Sequence, residues 1–225
     1  MDSGATFEDT DYDSEIVFTG NASADQTFTT GGKTYGRVTI NNTQGTYDDV
    51  DVSGTLDLHG NLTVTDGNLD LDANDPAVDL EGNVSIGSSG AITASGSGTF
   101  NLFGNWTNNG TFTANSGTVD FNGSSSQAIS GSSSTTFNNL SVTNSSAAVS
   151  VSTNTTVNGT LNIGSGAILS PDASVVISGS GTLTGSGTAR VTRTAATPDF
   201  SSQYTISNKT LTNLTVAYVS DSAQT

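Results

Sequence analysis

The chain has 225 residues, of which 32% are hydrophobic and 12% charged, with no cysteine and a formal net charge of -16. Those figures leave too little apolar mass for a round core. They also exclude disulfides, thiolate nucleophiles and cysteine-based metal centres. The charge opposes binding to nucleic acid or to an anionic membrane surface. Serine, threonine, asparagine and glycine dominate the rest, which favours short strands broken by turns.

The first fifteen residues, MDSGATFEDTDYDSE, form an acidic segment without the basic start and apolar run of a signal peptide. No stretch approaches the roughly 20 apolar residues of a membrane span, so direct membrane insertion is not expected. Acid is concentrated early: residues 1 to 81 hold 17 of the 21 carboxylates and two of the five basic side chains. This is a patch, whereas adaptation to high salt would spread acid over the whole surface.

From Leu56 to Val119 short strand-like pieces recur about every seven residues, among them TLDL, NLTV, NLDL, AVDL, NVSI and TFNL. Three such pieces take about 21 residues, the geometry of a three-sided coil. The predicted fold is all-β, a right-handed parallel β-helix of about 21–22 residues per coil. Apolar residues should then stack one coil apart. Leu56, Val78, Phe100, Phe121, Val142 and Ile163 follow at steps of 22, 22, 21, 21 and 21. Leu58, Leu80 and Leu102 run beside them, Val50, Leu71 and Ile92 mark a second face, and Val119, Leu140 and Leu161 form a further series.

A longer repeat lies over the short one. The stretch from Ile16 aligns with that from Thr118, pairing Phe18 with Phe121, Gln26 with Gln127, Tyr35 with Phe137 and Val38 with Leu140. The resulting division is an acidic segment 1–15, a solenoid 16–198 of two related units (16–117 and 118–198), and a segment 199–225. That last segment is a partial third repeat or a carboxyl-terminal joining strand. No amphipathic capping helix is evident at either end, so the expectation is end-to-end stacking or strand exchange between copies, with Tyr204 to Val219 as the joining piece, or else a fragment whose ends are cut from a longer rod.

At GNWTNNGTFTANSGTVDFNG and TFNNLSVTNSS the chain resembles the secreted β-helix repeats of microbial surface proteins and large adhesins. The resemblance implies an exported, extended rod at the cell surface and carries over no catalytic residue.

Asp49 and Asp51 precede Asp70 and Asp72 at a step of 21, and Asp57 precedes Asp79 at a step of 22, so these carboxylates should point outward and stack. Two carboxylates about 5 Å apart repel by roughly 1 kcal/mol in water and about 3 kcal/mol at an effective dielectric of 20. A divalent cation would reverse the sign, and calcium suits an all-oxygen ligand set. Asp49, Asp51, Asp70 and Asp72 are therefore the candidate metal ligands, with Ca2+ as an optional ion and no cofactor required. The stretch Asp70 to Glu81 spaces oxygen ligands like an EF-hand loop, but Asp75 stands where a glycine is needed.

The 13 Asn-x-Ser/Thr sites exceed the roughly seven that composition alone gives. They read either as glycosylation sites or as turn asparagines followed by strand threonines. His59 is the only histidine, and without a partner base the usual triads cannot form. Trp106 suits core packing better than sugar stacking. Thr-x-Thr at Thr27, Thr63, Thr111 and Thr182 is not spaced by whole coils, so no continuous threonine face is expected. The expected function is an extracellular structural rod and not an enzyme, its partner being itself. The alternative is a calcium-dependent module that binds surface glycans.

Overall fold

A computed structural model describes residues 13–20, 24–43, 49–194 and 199–219. The acidic segment 1–15 therefore lies almost wholly outside the described residues. Parallel strands stack into a β-solenoid of about eight turns, with almost no helix. At about 4.8 Å per coil the rod is roughly 40 Å long.

The first coil is β1 (Glu15–Phe18), β2 (Gln26–Thr29) and β3 (Thr34–Tyr35), and the second is β4 (Arg37–Asn41), β5 (Asp49–Ser53) and β6 (Leu56–Leu58). Next come β7 (Leu62–Asp70) with β8 (Val78–Leu80), then β9 (Val84–Thr93) with β10 (Thr99–Leu102). Here one long strand bends round a corner and serves two sides. Gly67, at φ 84°, provides the turn in β7, and the register shifts between Val64 and Asp66. Three-strand coils resume with β11 (Trp106–Asn108), β12 (Thr111–Thr113) and β13 (Thr118–Phe121), followed by β14 (Gln127–Ser130), β15 (Thr135–Phe137) and β16 (Asn139–Val142). The pattern continues through β17 (Val149–Val151), β18 (Thr155–Val157), β19 (Thr160–Ile163), β20 (Ile168–Pro171), β21 (Ile177–Ser178) and β22 (Thr182–Gly185). The last elements are β23 (Thr188–Val191), the short helix α1 (Asp199–Gln203), β24 (Asn208–Lys209) and β25 (Thr215–Tyr218).

One side of the rod runs β1-β4-β7-β9-β11-β14-β17-β20-β23-β25 and a second runs from β3 to β24 through nine strands. The third side is divided: β2, β5 and β12 join the long strands of the first sheet, while β15, β18 and β21 form a sheet of their own. Among the described residues every strand pairing is parallel, as a coil that always advances in one direction requires.

Alternation decides which side chains enter the column. In Leu62–Asp70 and Val84–Thr93 buried and partly exposed residues alternate on each side of the bend. Leu62, Val84 and Trp106 stack in register and are essentially fully buried. At about 25 cal/mol per Å² of apolar surface, this column of leucine, valine and aromatic side chains is the main stabilising term. Part of it is aromatic: the Trp106 ring centre lies 5.9 Å from that of Phe100, 4.8 Å from Phe112 and 5.6 Å from Phe137, in tilted or edge-on contacts.

The coil-to-coil register corrects two of the stacking series. Phe100 pairs with Val119, and Leu102 pairs with Phe121. The series Leu56, Val78, Phe100 therefore continues into Val119, Leu140 and Leu161, while Leu58, Leu80, Leu102 continues into Phe121, Val142 and Ile163. On the second face Val50 pairs with Leu69, not Leu71, and Leu69 pairs with Ile92. The reason is coil length. Ser85 pairs with Thr107, Ala91 with Thr111 and Phe100 with Val119, so the offset between paired positions shrinks as the chain goes round. It falls by two at one corner and by one at the next. A slip of two leaves every side chain on its own face, so hydrophobic alternation cannot detect it.

Residues 199–219 form the final coil of the same rod: β24 pairs with β22 and β25 with β23. The segment from Tyr204 to Val219 is thus packed onto its own chain. Tyr204 is fully buried and its hydroxyl donates to the Arg190 carbonyl at 2.9 Å, so burial pushes the phenol far above its ordinary range.

Candidate functional site

The outward faces carry polar ladders, each built by the coil repeat. On the first side the asparagine Oδ1 of one coil accepts the backbone N–H of the next. Asn61 receives Asn83 at 2.9 Å, Asn83 receives Asn105 at 2.8 Å, and Asn105 receives Ala128 at 2.9 Å. Each of the three follows a glycine. A Cβ on Gly82 would run into the Gly60 carbonyl oxygen, and one on Gly104 would run into that of Gly82. Glycine is required at this corner because coil backbones meet there with no room for a side chain.

Two positions beyond each of these asparagines, on the same face, comes a hydroxyl. It belongs to a longer column: Thr39, Thr63, Ser85, Thr107 and Ser130 pair in unbroken register. Thr63, Ser85 and Thr107 keep a step of 22, but Thr39 lies 24 before Thr63 and Ser130 lies 23 after Thr107, so no single period follows the column to its ends. A search for Thr-x-Thr does not find it either. The column also explains why Asn-x-Ser/Thr recurs there: Asn61-Leu-Thr63, Asn83-Val-Ser85 and Asn105-Trp-Thr107 each place an amide and a hydroxyl outward with an apolar residue inward.

The second side has its own ladder. Thr34, Asp57, Asp79, Asn101, Asp120, Ser141, Asn162 and Thr184 lie one above another. Asp57 takes a hydrogen bond from the Thr34 hydroxyl at 2.7 Å, and Asp79 takes one from the Asn101 amide at 2.6 Å. The directly stacked Asp57 and Asp79 are thus each supplied with a donor from the coil beyond.

The four candidate metal ligands are arranged differently from the expected pairs. Asp51 pairs with Asp70, Asp49 pairs with Asn68, and Asp72 falls beyond the end of β7 on an exposed turn. Asp49 takes the Asn68 amide at 3.0 Å. Asp70 Oδ1 accepts the backbone N–H of Asp72 at 2.7 Å and of Ala73 at 3.3 Å, so this carboxylate holds its own turn. Burial, then the charges of Asp70, Asp25 and Asp49, push the Asp51 carboxyl above its ordinary value. Asp75, in the left-handed region at φ 48°, turns to the next coil. It accepts the Ser95 hydroxyl at 2.8 Å and the Gly96 N–H at 2.6 Å, which lowers its pKa. Among the described residues no three acidic, histidine or cysteine side chains converge in a metal-binding arrangement.

His59 is half-buried at a corner, its Nδ1 2.8 Å from a Glu81 carboxylate oxygen. Trp106 is fully buried, and its Nε1 donates to the Thr135 hydroxyl at 3.2 Å, so the indole offers no face to a sugar. A narrow crevice between Leu71, Pro76, Phe100, Phe112 and Phe137 has room for about one water molecule and no charged lining residue. Among the described residues no helix is long and apolar enough to cross a membrane.

A buried amide clip is the other feature of the interior. Gln127 donates from Nε2 to the carbonyls of Leu102 and Gly104, both at 2.8 Å, and accepts from Gly123 N–H and Asn144 Nδ2, both at 3.0 Å. Gln203 makes the same kind of bridge to Asp172 and Thr192. Gln203 matches Gln127 in the partial third repeat that begins near Asp199, a match that by itself does not reveal what the two hold. No protein-family model, curated protein or solved structure matches the chain.

Proposed function

We propose that this protein is an extracellular structural rod, a segment of a cell-surface filament or adhesin stalk that joins like units through its ends. The observation that carries this reading is the apolar column, which runs without interruption through the stacked coils and remains partly open at the last one. Val216 and Tyr218 on β25 face inward, stacked on the buried Ala189 and Val191, yet both stay partly exposed. Leu211, Tyr218 and Val219 are three of the five large hydrophobics most exposed among the described residues. Such an edge is a template for another strand. Support for a mechanical role also comes from the polar ladders, which commit the outward side chains to holding neighbouring coils together. The acidity and small polar composition fit an exposed, soluble surface outside the cell.

Electron microscopy of concentrated purified protein tests this. Filaments one rod wide that lengthen with concentration are the expected result. Short particles at every concentration, together with calcium-dependent retention on immobilised glycans, would replace the rod by a glycan-binding module.

A further inference from the structure

From the register of the coils we infer the joint itself: β25 of one copy adds parallel to the outer edge of β1 of the next, with Tyr218 over Ile16 and Val219 beside Val17. This deepens the rod reading and rests on it. Neither β1 nor β25 pairs with another described strand on its outer edge. Phe28 and Tyr35 on the first coil are already buried within one copy, whereas the residues of β1 keep exposure, so the joint is placed on the side that β1 begins.

Column continuity sets the register. Ile16, Val38, Leu62, Val84, Trp106, Ile129, Val151 and Pro171 lie in one inward column. The pairing of Leu169 with Ala189 carries that column to Val191, and Val191 pairs with Tyr218. A further copy that keeps the column straight therefore brings Ile16 onto Tyr218. The same register brings together Val17 and Val219, each outward and 47% exposed. Within one copy Val17 pairs with Thr39, a position of the outward hydroxyl column.

Charge selects a head-to-tail joint over a symmetric one. Residues 1 to 81 hold 17 of the 21 carboxylates, whereas Arg190, Arg193 and Lys209, three of the five basic side chains, all lie near the other end of the chain. Head against head brings acid to acid; head against tail brings acid to base. An asymmetric contact of this kind does not close, so it extends into a filament. Residues Tyr204 to Val219 stay on their own chain, which makes the joint a stacking and not an exchange of strands.

The absence of cysteine makes the test clean. Parallel neighbours lie about 4.8 Å apart, within the Cα separation of about 4.4–6.8 Å that a disulfide spans. The double variant Val17→Cys with Val219→Cys, oxidised at a concentration where filaments are seen, is expected to give a ladder of covalent oligomers. Each single variant should stay monomeric on a non-reducing gel. Dimers from Val17→Cys alone would mean a head-to-head joint and overturn the proposal. So would a ladder from Val17→Cys with Ala217→Cys in place of the first pair, since that marks a register displaced by two. Filaments in the microscope without any ladder would reject this joint and leave the rod reading intact. If filaments and ladder are both missing, the joint and the rod reading fall together. Circular dichroism of each variant confirms that it folds, both positions being exposed.

Discussion

The side-chain oxygen of Asn61 accepts the backbone N–H of Asn83 one coil further on, at 2.9 Å, and Asn83 repeats the act for Asn105. An amide at a corner therefore holds the coil above it. Replacing Asn83 by alanine removes the acceptor for the Asn105 N–H, and a lost hydrogen bond of this kind costs about 1 kcal/mol. Asn83→Asp keeps the acceptor oxygen and should cost less. Urea midpoints of the two variants give the comparison, and equal midpoints would show that the ladder contributes nothing.

The glycine before each of these asparagines is constrained by space. Gly82→Ala drives a methyl into the Gly60 carbonyl oxygen, and separating the two coils should cost about 3 kcal/mol. Gly31, at φ 60° with nothing within 4 Å of the added atom, has only its backbone conformation to lose. Gly31→Ala should therefore cost about 1 kcal/mol. Thermal melts of both variants measure the difference, and the order of the two is the result that matters.

Two aspartates oppose each other in pH dependence. The Asp51 carboxyl is raised above the ordinary 3.8 by burial and by Asp70, Asp25 and Asp49, so its ionisation costs stability as pH rises through the raised value. The Asp75 carboxyl is lowered by Ser95 and the Gly96 N–H, so its contribution is present above 3.8 and lost as pH falls through the lowered value. Melting temperature should rise on mild acidification from neutral pH, then fall below about 3.8. Asp51→Asn should raise neutral-pH stability by roughly 0.5–1 kcal/mol, allowing for solvent screening, and flatten the upper limb. An unchanged upper limb in that variant would place the effect elsewhere.

Calcium is expected to do little. Asp51 and Asp70 stack, but Asp49 is taken by Asn68, and the Asp70 carboxylate is taken by the turn that carries Asp72. Millimolar calcium should move the melting temperature no more than the same concentration of magnesium. A calcium-specific rise that disappears in Asp51→Asn would restore a metal site at these residues.

The alternation of apolar and polar residues is legible throughout the sequence, because in a strand side chains point in and out with a period of two. Leu62, Val84 and Trp106 inward, with Thr63, Ser85 and Thr107 outward, follow from that rule alone. So does the solenoid, since strands this short can bury one face only by stacking many coils. The polar site is less legible. Asp57 stacks over Asp79 as its spacing predicts, whereas Asp49 over Asp70 gives way to Asp49 over Asn68. The hydroxyl column escapes a periodic search at its ends because the step changes there: Thr39 meets Thr63 after a longer turn than the one that brings Thr63 to Ser85.

What the sequence determined by itself is therefore the face on which each side chain lies, while the tertiary structure decided which coil neighbour it meets. Corner length sets that meeting. Phe100 could rest on Val119 or on Phe121 without any residue changing face, and local propensity is blind to the choice. Only the closing of whole coils, with Gly82 against Gly60 and Trp106 against Phe112, selects one register.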